Sequence, residues 1–184
     1  MVSLLVVFWM YVVLFAVIGA MRGWAKEVLV TFSVVLALAF ITLLEKYVPF
    51  VANMVSLTVH TPEEMDPATL KSSLTTLFWL RALIMVLLVF FGYSSPNFAR
   101  FAPKMTREKL QDVLLGVFLG MVNGFLIVGS VWYYLHNSNY PFSFITAPES
   151  TPLILNYLAP RLLGVPAIYF AVVICFIFVI VVFI

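Results

Sequence analysis

Residues 2–21 read VSLLVVFWMYVVLFAVIGAM and contain no charged side chain. A helix of about 20 apolar residues is long enough to cross the hydrocarbon core of a bilayer, which is about 30 Å thick. The segment must be helical there because lipid offers the backbone no hydrogen-bond partner. No basic stretch precedes this run, and no small-residue cleavage site follows it. The pattern therefore predicts a retained transmembrane helix rather than a cleaved signal peptide.

The composition of the whole chain indicates the same surroundings. Of its 184 residues, 64% are apolar and 10% are charged, whereas soluble domains are roughly half apolar and about a quarter charged. A soluble fold of this size would expose large apolar patches to water and would aggregate. We therefore expect the chain to lie in a lipid bilayer. The formal charge of +2 is too small to indicate a nucleic acid as a partner.

Four further apolar runs predict four further transmembrane helices. They lie at about 24–44, 74–93, 113–135 and 166–184. The third helix has a clear beginning, because Asp66 is a good N-cap and Pro67 suits the first helical position. Two connections, 47–60 and 139–166, are interrupted by prolines, and the first also by Asn53. We expect both connections to lie in the membrane interface or to re-enter the protein.

The predicted fold class is all-α, a polytopic transmembrane helical bundle of about five spans with two interfacial or re-entrant segments. Residues 1–135 are expected to form a four-helix transmembrane region. Residues 136–165 are a proline-rich interfacial connection, in which Thr151 and Pro152 predict the start of a short helix. Residues 166–184 are the predicted fifth transmembrane helix.

The distribution of basic residues predicts the orientation of this bundle. Five spans place the two termini on opposite sides of the membrane. Six lysines and arginines fall on one side (Arg22, Lys26, Arg100, Lys104, Arg107 and Lys109) and three on the other (Lys46, Lys71 and Arg161). The positive-inside rule assigns the more basic side to the cytoplasm. We therefore expect the N-terminus outside and the C-terminus in the cytoplasm.

A glycine repeat marks one face of the fourth predicted span. Gly116, Gly120 and Gly124 recur every four residues, which aligns them on one side of a helix. A face without side chains lets another backbone approach closely. Three partners fit this face: a helix of the same chain, a second copy, or a helix of another protein. Asn123, beside Gly124, is expected to hydrogen-bond to the neighbouring helix.

Arg81 is the charged residue within the third predicted span. An arginine there is costly and often marks a function or a partner. In the alternative interpretation, its guanidinium reaches the outer interface, where Glu63, Glu64 and Asp66 are expected, while its aliphatic stem stays in the membrane. The sequence alone leaves both interpretations open.

No motif in the chain predicts an enzyme, a metal site or a cofactor. The sequence has no phosphate-binding glycine loop, no histidine–glutamate metal motif and no Gly-x-Ser-x-Gly nucleophile elbow. Its single cysteine, Cys175, excludes an internal disulfide and a multi-cysteine cluster. His60 and His136 fall near predicted span ends, where an interfacial position is the simplest interpretation. We therefore expect a non-enzymatic protein without a cofactor.

Two stretches resemble the colicin V production protein family of bacterial inner-membrane proteins, and the resemblance covers about residues 1–135. The first stretch is RGWAKEVL, residues 22–29. The family has an Arg-Gly-aromatic turn followed by a basic residue and a glutamate, here carried by Arg22, Gly23 and Glu27. Gly23 would permit a tight reversal, and Glu27 lies in the first turn of the next helix, where the helix dipole favours a negative charge. Arg22 and Glu27 are placed to form an ion pair.

The second stretch is DVLLGVFLGMVNGFLIV, residues 112–128. The family motif there is Asp-Arg-x-x-Gly-x-x-x-Gly-x-x-Arg-Gly. The aspartate and the three glycines are kept, while Val113 and Asn123 stand at the two arginine positions. An aspartate that the family carries in its first span is absent from this chain. The resemblance thus supports the helix packing and leaves the role of the family's charged residues open.

The resemblance implies a protein of the bacterial cytoplasmic (inner) membrane with a non-enzymatic role in envelope maintenance or export. A second hypothesis is an accessory transmembrane subunit that stabilises or assembles a larger photosynthetic or respiratory complex by helix packing. The low polarity of the spans and the neighbouring aromatics Phe8, Trp9 and Tyr11 favour it. In both cases the expected partners are the lipid bilayer and other transmembrane helices, in a homo-oligomer or in a larger complex.

Overall fold

The structure is a computed structural model that describes residues 3–60, 66–94, 109–142, 145 and 153–183. Every regular element in these ranges is a helix. Four helices are long and apolar enough to cross a membrane: α1 (Leu4–Arg22), α2 (Trp24–Tyr47), α4 (Pro67–Tyr93) and α5 (Lys109–Asn137). The shorter elements are α3 (Pro49–His60), a 3₁₀ helix (Leu153–Tyr157), α6 (Ala159–Leu162) and α7 (Ala167–Phe183). The chain is therefore a transmembrane helical bundle, as predicted from its sequence.

Helix α2 lies at the centre of the bundle. It packs against α4, α5 and α7, while α1 packs mainly against α5. The buried apolar side chains form two clusters, and the larger one includes Val30, Val34, Ala37, Met85 and Ile168. Lipid tails are as apolar as these side chains, so helices in a membrane associate through close packing and hydrogen bonds rather than through the hydrophobic effect. The arrangement around α2 therefore depends on how closely the helices fit.

The outward faces of α1, α4 and α7 are also largely apolar. Large exposed side chains occur on α1, α4 and α7, among them Val13, Phe90, Phe170 and Ile174. Such a surface would drive aggregation in water. In a bilayer it contacts lipid tails, which is the environment that the composition predicts.

Helix α3 differs from the sequence-based expectation. The segment 47–60 was expected to be interrupted at Asn53, but Pro49–His60 is one continuous helix. Pro49 takes the first helical position, where a missing backbone N–H removes no hydrogen bond. At 12 residues, α3 is too short to span the membrane. It packs against α2 and α4, with Val51 buried.

The predicted fifth span corresponds to α7. Its 17 residues are all apolar, and at a rise of 1.5 Å per residue they extend for about 26 Å. This length is slightly below the thickness of the hydrocarbon core, and α7 is shorter than the other four predicted spans. Helix α7 packs against α2, where the rings of Phe32 and Phe176 lie 5.0 Å apart in an edge-to-face arrangement.

The described part of the proline-rich connection is packed onto the bundle. Thr151 and Pro152 lie outside the described residues, so the helix start predicted there is not described. Leu155 of the 3₁₀ helix and Leu158, which precedes α6, are buried against Phe8 of α1 and Trp132 of α5. This segment therefore covers the end of the α1–α5 pair.

Candidate functional site

The turn between α1 and α2 is a single residue, Gly23. Its backbone N–H donates to the carbonyl of Gly19 and so ends α1, and α2 begins at the next residue. The φ angle of Gly23 is +82°, a conformation that residues with a side chain rarely adopt. A Cβ atom there would also lie 2.8 Å from Oδ2 of Asp112. Glycine is therefore required both by the backbone conformation and by the space available.

Asp112 at the start of α5 binds this turn. Its Oδ1 accepts a hydrogen bond from the backbone N–H of Trp24 at 3.1 Å. This N–H belongs to the first turn of α2, where backbone donors have no partner within the helix. A negative charge is also favoured at this end of a helix. Asp112 therefore fixes α5 to the α1–α2 turn through a bond between residues 88 positions apart.

Glu27 is the central residue of the site and is completely buried. Its Oε1 lies 2.9 Å from Nη1 of Arg22 in an ion pair. Its Oε2 accepts a hydrogen bond from Nδ2 of Asn123 at 2.8 Å. A buried carboxylate is tolerated only when charges and donors replace its hydration. Both oxygens of Glu27 have such a partner.

Asn123 uses both ends of its amide at this site. Its Nδ2 also donates to the backbone carbonyl of Glu27 at 2.9 Å, and its Oδ1 accepts from the hydroxyl of Thr31 at 2.7 Å. The Thr31 hydroxyl lies 3.1 Å from the same Glu27 carbonyl, but it has one proton, and the shorter contact is the one to Asn123. Asn123 thus connects α5 to both the backbone and the side chains of α2.

Arg22 extends the network to α4. Its Nη2 donates to the backbone carbonyl of Tyr93 at 3.1 Å. Its guanidinium carbon lies 4.3 Å from the centre of the Tyr93 ring, within the range of a cation–π interaction. The carbonyl belongs to the last turn of α4, where carbonyls lack a helical partner. Residues of α1, α2, α4 and α5 therefore meet in one polar cluster, Arg22–Glu27–Thr31–Tyr93–Asn123, which we call the Glu27 network.

The glycine repeat of α5 lies against α1. A Cβ atom at Gly120 would collide with the backbone carbonyl of Phe15, and one at Gly124 would lie 2.7 Å from Cβ of Phe15. A Cβ atom at Gly116 would collide with the carbonyl of Gly19. Of the three partners that the sequence leaves open, the structure thus places a helix of the same chain on this face. Gly19 is the reciprocal small residue on α1, and the sequence analysis did not identify it.

Among the described residues, Arg81 forms a second ion pair. Its Nε lies 2.6 Å from Oε1 of Glu45, and its guanidinium carbon lies 5.6 Å from the centre of the Tyr134 ring. The alternative interpretation had placed acidic partners for it at residues 63–66. Of these, Asp66 instead caps α4 by accepting from the N–H of Ala68, and Glu63 and Glu64 lie outside the described residues. Glu45 lies 36 residues from Arg81 in the sequence, so the pairing depends on how α2 and α4 pack and could not be named from the sequence.

A small cavity borders the Arg81–Glu45 pair. It has a volume of about 170 Å³ and is lined by both charged residues together with Thr42, Tyr133, Tyr134 and Asn137. This pair lies near the end of α2 opposite to the Glu27 network. Among the described residues, no group of three or more His, Cys, Asp or Glu side chains is placed to hold a metal ion. The site offers hydrogen bonds and ion pairs that join helices.

The comparison with known proteins found a matching family model. The family model described as colicin V production protein matches residues 5–151, which is most of the chain. This range includes the Arg22–Gly23–Glu27 turn, the glycine face of α5 and both ion pairs. No curated protein and no solved structure matches the chain. The chain therefore belongs to the colicin V production protein family.

Proposed function

We propose that this chain acts as a non-enzymatic helical scaffold of the colicin V production type, with a role in envelope maintenance or export. The main support for the proposal is that the polar side chains of the bundle bond to one another. Glu27 bonds to Arg22 and Asn123, and Arg81 bonds to Glu45. Side chains engaged in this way join helices and are poorly suited to carry an ion or a substrate from one side to the other.

The space between the two ion pairs supports a scaffold rather than a channel. Glu27 and Glu45 are 18 residues apart on α2, which corresponds to about 27 Å along the helix. The buried α2 residues between them are apolar: Val28, Val30, Val34, Val35, Ala37, Leu38, Ala39 and Ile41. An ion in such a region would lose its hydration without gaining ligands. The two ion pairs therefore fasten the bundle near both ends of α2, and a packed apolar layer separates them.

The location that we propose is the bacterial cytoplasmic membrane, with the N-terminus outside and the C-terminus in the cytoplasm. The excess of lysine and arginine on the side of the α1–α2 turn supports this orientation. In this orientation the Glu27 network lies at the cytoplasmic end of the bundle, and the Arg81–Glu45 pair lies toward the outer end.

The scaffold proposal is tested by measuring ion flux through vesicles that contain the purified chain. We expect the wild-type protein to give no more flux than empty vesicles, because the apolar layer around Val34 and Leu38 interrupts any polar path. Arg81→Leu is expected to leave this baseline unchanged. A wild-type flux above the baseline that Arg81→Leu abolishes would show a conducting path through the Arg81 pair, and it would overturn the scaffold proposal.

A second candidate function is that of an accessory subunit in a larger membrane complex, and the exposure of α7 favours it. Helix α7 packs on α2 with one face, while Phe170, Val173, Ile174 and Ile177 remain exposed. Purification from native membranes in a mild detergent separates the two candidates. Co-migration with a pigmented or redox-active complex, lost in Ile174→Glu, would favour the accessory role. Migration as a monomer or homodimer would favour the independent scaffold.

A further inference from the structure

The cavity beside the Arg81–Glu45 pair extends from an exposed residue into the bundle. Asn137, the last residue of α5, is exposed and lines the cavity at one end. Leu38 and Ile41 of α2 line it as well, and each has only 3% of its surface exposed. Leu38 precedes Glu45 by seven residues, which corresponds to about 10 Å along the helix. The cavity therefore follows α2 inward and ends at the buried apolar residues of this helix.

The position of Arg81 on α4 lies within the hydrocarbon core. At the far end of α4, the carbonyl of Tyr93 bonds to Arg22, and an arginine at the end of a span prefers the headgroup region. From Tyr93 to Arg81 the helix extends about 18 Å. In a hydrocarbon core about 30 Å thick, the Cα of Arg81 then lies about 12 Å from the opposite surface. Charged residues at such depths pair with one another and face the interior of a bundle or a water-filled cavity.

The bond between Arg81 and Glu45 uses a small part of their capacity for hydrogen bonds. It joins Nε to Oε1, whereas a guanidinium carries five N–H donors and a carboxylate accepts at about four positions. The Arg81 side chain is 12% exposed and the Glu45 side chain 29%, and both line the cavity. The pair therefore keeps accessible charged surface beside a space within the bundle, where hydrocarbon would offer it no partner.

The size and lining of the cavity match water. Its volume of about 170 Å³ corresponds to about five water molecules, at about 30 Å³ for each in the liquid. Thr42, Tyr133 and Asn137 add polar side chains to those of the ion pair, and Pro160 and Leu163 line the cavity from the segment after α5. A polar cavity of this size that offers each water two to four partners is occupied by water in folded proteins.

We propose that this cavity is a water-filled vestibule that hydrates the Arg81–Glu45 pair from the end of the bundle at Asn137. Water molecules in it bridge the two charged groups to the neighbouring polar side chains and replace the hydration that the membrane removes. The vestibule ends at Leu38, so Val34 and the rest of the apolar layer stay dry. The proposal goes beyond the scaffold function, because it gives the bundle a polar site that water-soluble molecules reach from one side of the membrane.

The test measures the reaction of single cysteines with 2-aminoethyl methanethiosulfonate in a Cys175→Ala background. The full chain is held in lipid nanodiscs, whose two surfaces both meet solution, so the result does not depend on the orientation of the chain. Thr42→Cys places a thiol in the vestibule. Leu43→Cys is the matched control at the same depth, because Leu43 is 39% exposed on the outside of the bundle and does not line the cavity.

We expect Thr42→Cys to react at least about a hundredfold faster than Leu43→Cys, because the thiolate is the reactive form and its charge is strongly disfavoured in hydrocarbon. Tyr133→Cys, on the α5 wall, is a second position at which the same fast reaction is expected. Leu163→Trp should slow the reaction of Thr42→Cys severalfold, because the larger ring takes up space that water occupies. The same substitution should leave the reaction at Lys46→Cys, on the exposed end of α2, unchanged.

Thermal unfolding shows whether each variant is folded. If folded Thr42→Cys and Tyr133→Cys both react as slowly as Leu43→Cys, the vestibule is not hydrated and the proposal is wrong. Reaction of Val34→Cys as fast as that of Thr42→Cys would contradict a vestibule that ends at Leu38. A conducting wild-type protein in the flux experiment would count against the scaffold function, and the comparison of Thr42→Cys with Leu43→Cys would still decide whether the vestibule holds water.

Discussion

Asn123 shows how much one polar side chain can determine inside a membrane protein. Its amide satisfies one carboxylate oxygen of Glu27, the Glu27 carbonyl and the hydroxyl of Thr31. The resemblance implies an arginine at this position in other family members. A second arginine beside Glu27 would add a positive charge to a carboxylate that Arg22 already neutralises. Asparagine instead supplies the missing donor without adding a charge.

Replacement of Asn123 by leucine is expected to destabilise the bundle by about 2–3 kcal/mol, because it leaves a buried carboxylate oxygen without a donor while it keeps the branched shape of the side chain. The free energy of unfolding in detergent micelles measures this effect. Ser130→Ala is the matched control, since Ser130 is equally buried on α5 but bonds only to the carbonyl of Leu126 in its own helix. It should cost less than about 1 kcal/mol.

A double-substitution experiment separates the effect on Glu27 from a general packing effect. In a Glu27→Gln background, Asn123→Leu should cost less than in the wild type, because a neutral amide is cheaper to leave unpaired than a carboxylate. Equal costs in both backgrounds, or equal effects of Asn123→Leu and Ser130→Ala, would contradict the role assigned to Asn123.

For individual residues, the sequence predicts contacts between side chains that are close along the chain and misses those between side chains that are far apart along it. The pairing of Arg22 with Glu27 follows from a one-residue turn between two helices, and the structure contains it. The bond from Asn123 to Glu27 joins residues 96 positions apart, so it depends on which helices become neighbours. Asn123 could be expected to bond to a neighbouring helix, but its partner could not be named. Asp112 was recognised as a motif residue, while its bond to Trp24 requires the docking of α5.

Among the helices, the contact between α1 and α5 is the closest, because glycines allow it. Gly19 on α1 faces Gly116 and Gly120 on α5, so the two backbones touch. The four-residue spacing on α5 predicts such a face, but it cannot identify the helix that covers it, since any small residue at the right height would serve. Gly19 is recognised only once α1 lies on α5.

Substitution by alanine at Gly120, Gly129 and Gly164 should change the stability of the bundle to different degrees. Gly120→Ala is expected to destabilise most, by about 2–3 kcal/mol, because the added methyl group meets the backbone of α1, which cannot move aside easily. Gly129→Ala should cost less, because its nearest neighbour is the end of the flexible Leu158 side chain at 2.8 Å. Gly164→Ala should be neutral or slightly stabilising, because the new methyl group is 3.8 Å from its nearest neighbour.

The free energies of unfolding of these three variants, measured in one detergent, test the expected order. A Gly120→Ala protein as stable as Gly164→Ala would mean that α1 and α5 are not in backbone contact. Destabilisation of Gly120→Ala that disappears on dilution of the protein would assign the glycine face to a second copy of the chain.

In the molecule as a whole, two sets of polar contacts lie at opposite ends of an apolar core and join the helices there. The Glu27 network joins α1, α2, α4 and α5 near the start of α2. The Arg81–Glu45 pair joins α2 to α4 near the end of α2. Hydropathy alone predicts the helical bundle, since length and composition fix the spans. The ends of the short segments are harder to predict, because α3 and α6 are too short for hydropathy to define and pack against other elements of the bundle.

The orientation of the bundle in the membrane leads to a prediction that a labelling experiment can check. Helices α1 and α4 both begin at the end opposite to the α1–α2 turn, so Ser3 and Ser72 are expected on one side and Lys26 on the other. In a Cys175→Ala background, a membrane-impermeant maleimide added to spheroplasts should label Ser3→Cys and Ser72→Cys. Lys26→Cys should react only after the membrane is permeabilised, because the positive-inside rule places the more basic side in the cytoplasm.

The reverse labelling pattern would show that the few acidic and basic residues of this chain do not set its orientation. Labelling of Ser3→Cys and Lys26→Cys from the same side would contradict a membrane-spanning α1.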